Sequence, residues 1–330
     1  MKKVALTGIK PTGNPHFGNY LGAIQPAIEL AKDHDALYFI ADYHALTTVR
    51  DRELLKSQIH KVAATWLASG LDPEKITFYR QSHIPEVFEL TWILSCFAPK
   101  GLLNRAHSYK DSVEKNTQAG NDPDDGINCG LYNYPILMAA DILMFSSDVV
   151  PVGQDQKQHL EITRDIAQAF NQSYGEILTL PEPLIRDNVK TVPGVDGRKM
   201  SKSYGNEIPL YAPPKELKKR INQVVTDSKS VEEPKDPETC NLFAIYGLFA
   251  DAQDIESTRQ QYQNGGIGYG DMKKRIFELL DAYVSESRDK YEHLMTNTDE
   301  IDRILAQGAE KARTIAQPLL KKIRQAIGIE

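Results

Sequence analysis

Two rhythms of apolar residues alternate over the first two hundred positions of this 330-residue chain. Short apolar runs at 4–7 (VALT), 36–44 (ALYFIADYH) and 75–82 (KITFYRQS) have the length and composition of buried strands. Between them the apolar positions follow a helical period. Leu21, Ile24, Ile28 and Ala31 share one helix face, which Pro26 is expected to kink because it lacks an N–H. Leu55, Ile59, Val62 and Trp66 form a second such face, closed by Gly70. A third helix, 85–97, opens on Pro85, a residue suited to a first helical turn. The turn formers at 115–130 read as a surface loop. A helix at 134–145, a strand at 148–153 and a helix from about 154 to 171 complete the series.

Strands alternating with helices predict an α/β fold, a Rossmann-like parallel sheet covered by helices on both faces. Beyond about residue 205 only helical periodicity is found, at 213–224, 238–251, 269–295 and 297–326. The chain is therefore expected to divide into an α/β domain over 1–205 and an all-helical domain over 206–330. The last helix is free to pack back on the first domain.

Composition narrows the class without naming a chemistry. Apolar content of 41% and charged content of 25% are those of a globular protein. No apolar run approaches the roughly 18 residues of a membrane-crossing helix. The apolar run near the N-terminus is shorter than the roughly 7–15 residues at the core of a secretory leader, so a cytoplasmic location is expected. Cys96, Cys129 and Cys240 lie far apart and form no C-x-x-C pair, which argues against a zinc site or a disulfide framework. A net charge of −6 argues against a protein held on nucleic acid by bulk charge alone. Local basic clusters at 214–220 and at Lys311, Arg313, Lys321, Lys322 and Arg324 read first as solvated helix faces.

Two stretches depart from what a fold alone needs. GIKPTGNPHFGNYLGAI (8–24) places four glycines, two prolines and His16 between the first strand and the first helix. Ligands of open parallel sheets bind at that edge, and helix N-termini favour anionic oxygens. Gly8 and Gly13 permit close backbone approach, and His16, Gly18 and Asn19 stand at the helix start. The stretch fits neither G-x-G-x-x-G nor the P-loop pattern. The second, GRKMSKSYGN (197–206), sets Lys199 and Lys202 in a polar loop at the end of the α/β half, where paired cations suit charge developing on a transferring phosphate.

PHFGN (15–19) is similar to the HIGH signature of class I aminoacyl-tRNA synthetases, and KMSKS (199–203) matches their second signature. GNYLGAI, ADYHAL (41–46), YPILMAADIL (134–143) and VPVGQDQKQHLEITRDIA (150–167) resemble the corresponding segments of bacterial tryptophanyl-tRNA synthetases. The resemblance covers most of residues 1–210 and runs more loosely through VTDS (225–228) and the C-terminal helices. It implies an ATP-dependent tryptophan–tRNA ligase that forms tryptophanyl-adenylate, with Mg²⁺ held mainly by the phosphates. It also implies a homodimer, and a helical domain that reads the tRNA anticodon.

By the same resemblance His16, Asn19, Lys199 and Lys202 are catalytic. Lys10, Pro11, Thr12, Gly18, Asn19, Gly153, Asp155, Lys199, Met200, Ser201 and Lys202 bind ATP. Leu6, His44, Tyr134, Met138, Asp141 and Gln156 bind L-tryptophan. Tyr134, Met138 and Asp141 recur at i, i+4 and i+7 and share one helix face. A carboxylate there suits an indole N–H and the thioether suits the ring; the same spacing also fits a core face with Asp141 paired to a basic residue. His44, expected at the end of the second strand, suits either the substrate ring or a satisfied core. Lys10 stands where family members known to us often carry glutamine, and Lys110 is a weak candidate for an ATP contact. A tyrosyl-tRNA synthetase, a non-catalytic tRNA-binding paralogue and a small nucleotidyltransferase are the alternatives.

Overall fold

The computed structural model describes residues 2–153, 156–185 and 191–330. Strands β1 (Val4–Ile9), β2 (Asp35–Ile40), β3 (Thr77–Arg80), β4 (Val149–Pro151) and β5 (Glu182–Leu184) form one sheet, parallel throughout, in the order β3-β2-β1-β4-β5. β1 pairs with β2 from Val4↔Asp35 to Ile9↔Ile40. β2 is buried from Ala36 to Ile40, which is why it reads as an unbroken apolar run rather than an alternating one.

Helices follow in the expected alternation. Phe17–Asn19 (α1) and Gln25–Leu30 (α2) are joined by a π-helical turn, Tyr20–Ile24, in which the Gln25 N–H reaches the Tyr20 carbonyl. Pro26 thus falls in the first turn of α2, where its missing N–H is not needed. Next come α3 (Asp42–Ala45), α4 (Arg52–Ala68), α5 (Pro85–Ser95), α6 (Lys100–Leu103), α7 (His107–Gln118), α8 (Cys129–Leu143) and α9 (Lys157–Tyr174). The second half adds α10 (Pro214–Asn222), α11 (Asn241–Tyr246), α12 (Ala252–Asn264), α13 (Tyr269–Thr296) and α14 (Thr298–Ile327).

Several expectations need correction. The run 36–44 is strand only to Ile40, so His44 lies on α3 and not on a strand end. Residues 115–118, read as loop, complete α7. The short strand β5 and the helix α12 carry no clear pattern in the sequence and were not anticipated.

Leu6, Leu37 and Phe39 pack with Leu90, Ile136 and Ile166 on one face of the sheet. Tyr38, Ile40 and Phe78 pack with Ile59, Val62 and Trp66 on the other. A separate cluster joins Phe17 and Met200 to Ile208, Leu217, Ile276 and Val284. The start of the first helix and the 199–203 loop therefore share a core with the helical half.

The last helix closes the sheet. Ile301 and Leu305 of α14 enter one sheet-face cluster, while Ala309, Ala312, Ala316 and Leu320 enter the other. α14 thus crosses the β3 edge and covers a row of backbone groups that would otherwise be open. Gly308 marks the crossing: a Cβ there would lie 1.8 Å from the Phe78 carbonyl oxygen. Polar contacts flank it, His60 to Asp302 at 2.9 Å and Arg313 to the buried Glu86 at 2.9 Å.

Candidate active site

The strand order reverses at β1, and a cavity of about 470 Å³ opens between the carboxyl ends of β1 and β4. Leu6, Lys10, His44, Tyr134, Met138, Asp141, Gly153 and Gln156 all line it, so residues from four separate segments meet in one place. Tyr134, Met138 and Asp141 project from one side of α8, as their spacing requires. Asp155 lies outside the described residues.

Asp141 is only 2% exposed. His44 Nε2 donates to its Oδ2 at 2.9 Å, and Gln81 Nε2 donates to Oδ1 at 2.9 Å and Oδ2 at 2.8 Å. Burial pushes the Asp141 carboxyl above the usual carboxylate range, and the His44 and Gln81 bonds oppose that shift. The alternative of Asp141 paired to a basic residue thus holds in part, with a histidine at the cavity wall as that residue. Gln81 was not singled out in the sequence. It follows β3 in a short 3₁₀ turn, and nothing in RQSHIP marks it.

At the far wall Tyr134 bonds through its hydroxyl to Ser108 Oγ at 2.8 Å and to His159 Nε2. His159 and Ser108 line the same cavity and were likewise missed. Lys10 stands at the rim, its Nζ donating to Thr47 Oγ1 at 3.0 Å. Partial desolvation lowers the Lys10 pKa.

His16 caps α1. Its Nδ1 accepts from the Asn19 N–H at 3.3 Å, and Asn19 Oδ1 accepts from the His16 N–H at 3.2 Å. Accepting at Nδ1 leaves the ring proton on Nε2. Burial, aided by the charge of Lys202, lowers the His16 pKa to about 4. Gly18 stands directly beneath that ring, where an added Cβ would lie 2.9 Å from Nδ1.

Lys202 Nζ donates to the Thr12 carbonyl, so the 199–203 loop touches the glycine-rich turn directly. Gly13, at φ 61°, makes room for the Lys202 stem. Gln58 of α4 steadies the same turn. With its amide nitrogen toward Pro11 it donates to that carbonyl at 2.8 Å and accepts from the Gly13 N–H at 3.1 Å. Within the loop, the Ser201 N–H bonds to Asn206 Oδ1 at 2.8 Å and Asn206 Nδ2 to the Lys199 carbonyl at 3.1 Å. Met200 is buried in the core shared with Phe17, so its side chain anchors the loop, while Lys199 is exposed. Two groups thus meet across the turn at 10–13: a cavity with a buried carboxylate, and the capped His16 with the Lys202 loop.

The sequence profile of the class I tRNA synthetases (W and Y) matches residues 2–285. A tryptophan–tRNA ligase of Pseudomonas aeruginosa is 52% identical over 98% of this chain and 73% of its own length. One from Neisseria meningitidis is 48% identical over 99% of this chain and 98% of its own. The tryptophanyl-tRNA synthetase of Campylobacter jejuni, solved with ADP and tryptophan, superposes with a TM-score of 0.93 at 48% identity, covering 98% of this chain and 99% of that one. The Mycoplasma pneumoniae enzyme superposes at 0.79 with 30% identity, covering 100% of this chain and 99% of that one. With cavity, capped histidine and lysine loop in this arrangement, the chain belongs to the tryptophan and tyrosine group of class I tRNA synthetases.

Proposed function

We propose that this chain activates L-tryptophan with ATP and transfers it to tRNA. The observation that carries this reading is Asp141, a buried carboxylate on a cavity whose wall also carries the apolar side chains of Leu6, Phe39, Met138 and Val150. Such a wall accepts a ring and presents one acceptor to its N–H. Tyr134 and Gln156 suit the ammonium at the opposite end. The carboxylate of tryptophan attacks the α-phosphorus of ATP, pyrophosphate leaves, and a terminal hydroxyl of tRNA then attacks the acyl carbon of the adenylate, releasing AMP. Chemistry of this kind asks the protein mainly for positioning and charge stabilisation.

The nucleotide is assigned to the turn at 10–13, to Gly18 and Asn19 at the helix start, and to Gly153 and the 199–202 loop. His16 Nε2–H and the Lys199 and Lys202 ammonium groups would meet its phosphates. Among the described residues no three His, Cys, Asp or Glu side chains gather in a way that could hold a metal ion. We assign Mg²⁺ to the phosphates of the nucleotide, which supply hard oxygen ligands.

We assign residues 1–205 to catalysis and 206–330 to the tRNA anticodon, with α14 packed back on the sheet. No helix among the described residues is long and apolar enough to cross a membrane, and we propose a cytoplasmic location because ATP and tRNA are the reactants. A homodimer is supported by Trp92, 73% exposed on α5 one turn after Phe88, whose ring packs on that of the exposed Tyr43. Trp92→Glu would then shift sedimentation from dimer to monomer.

The test of the activity is ATP–pyrophosphate exchange with purified enzyme. Exchange dependent on tryptophan and silent with tyrosine is the expected result. Exchange with tyrosine instead would overturn the substrate, and none with either would point to a tRNA-binding paralogue.

A further inference from the structure

Gln81 does not line the cavity; at 1% exposure it lies behind Asp141. Its amide orientation is fixed from the other side, because Oε1 accepts from the Tyr43 N–H at 3.1 Å. The nitrogen must then face Asp141, and it bonds both carboxylate oxygens. Tyr43 N–H also donates to Asp42 Oδ1 at 3.0 Å, and Asp42 is held by Ser82 N–H and Oγ at 3.0 and 2.6 Å and by Arg80. The Gln81 amide is therefore clamped by the backbone of α3 and the turn after β3, not left to rotate.

A carboxylate offers about four acceptor positions. Gln81 takes two and His44 takes one, on Oδ2. One position is left, on a group that lines the cavity.

We infer that Gln81 is a positioning residue for amino-acid specificity: with His44 it turns Asp141 so that a single acceptor faces the ring N–H. This rests on the reading that tryptophan occupies the cavity. A ligand with the same ring shape but no N–H would leave that acceptor unmet, and sites built this way reject such analogues strongly. Without Gln81 the carboxylate is free to rotate towards His44, and its preference for an N–H donor weakens.

The experiment compares tryptophan with β-(benzothiophen-3-yl)alanine, in which sulfur replaces the indole N–H, in pyrophosphate exchange by the full chain. In Gln81→Met, which keeps the volume and removes the amide, KM for tryptophan should rise with kcat little changed. The tryptophan-to-analogue ratio of kcat/KM should fall about ten- to a hundredfold, as expected for loosening a charged hydrogen bond. A role limited to packing would lower both substrates equally, so an unchanged ratio in a variant with a cooperative thermal transition overturns the inference. Should Gln81→Met not fold, Gln81→Glu keeps the Tyr43 acceptor and supplies a donor only when protonated. Its ratio should then be higher at pH 6 than at pH 8.5, and a pH-independent ratio counts against the assignment. If the unaltered enzyme shows no exchange with tryptophan, the failure lies with the substrate reading and not with Gln81.

Discussion

His16 makes acid stability a direct test of the cap. Its ring is 5% exposed, its Nδ1 already accepts the Asn19 N–H, and Lys202 adds a nearby positive charge. A proton on Nδ1 would cancel the cap and bury a second cation. The folded-state pKa of about 4 lies below the ordinary histidine value of 6.5, so the unfolded chain takes up the proton first as pH falls. The contribution is present in full above pH 6.5 and is lost as pH falls towards 4. Lowering the pKa from 6.5 to about 4 corresponds to roughly 3 kcal/mol over that window. His16→Asn removes the titrating group and retains a side-chain oxygen for the N-cap. Urea unfolding of both proteins should be measured from pH 7.5 to 4, because common carboxylates then cancel in the difference. The native protein should lose about 3 kcal/mol more than the variant across this range. Parallel curves, within about 1 kcal/mol, would show that His16 is not held neutral by its surroundings.

Gly308→Ala should destabilise, although alanine in a helix interior ordinarily gains about 0.5–1 kcal/mol over glycine. The new Cβ meets a backbone oxygen at 1.8 Å, so α14 must lift off β3; overpacking of this kind costs about 1–3 kcal/mol or more, visible as several degrees in Tm. An unchanged or raised Tm would refute the close approach. Lys202→Ala should reduce pyrophosphate exchange by about two to three orders of magnitude, with tryptophan binding by calorimetry changed less than about threefold; surviving exchange would remove the loop from catalysis. Asp141→Ala strands the Gln81 and His44 donors and takes the acceptor from the cavity. It should raise KM for tryptophan about ten- to a hundredfold, and an unaltered KM would place the ring elsewhere.

The α/β order was legible because β1, β2 and β3 are buried apolar runs and α4, α5 and α9 carry clear helical faces. The helix face bearing Tyr134, Met138 and Asp141 was legible for the same reason: helical period converts spacing into direction without reference to the rest of the chain. The two signature stretches were legible because their glycines, histidine and lysines exceed what a turn requires. β5 was not, since three residues reading Glu-Pro-Leu are strand only because β4 lies beside them.

The residues that tune the site escaped for a related reason. Gln58, Gln81 and His159 are single polar side chains in segments that read as ordinary helix or turn, and each matters only through a partner 25 or more positions away. The sequence by itself determined most of the elements and their order, because local period and local backbone freedom are properties of neighbours along the chain. Only tertiary structure decided that Asp141 is buried with one acceptor to spare, that Lys202 reaches the turn at Thr12, and that α14 returns to cover the β3 edge. Those outcomes depend on desolvation and close packing between distant segments, which no window of sequence contains.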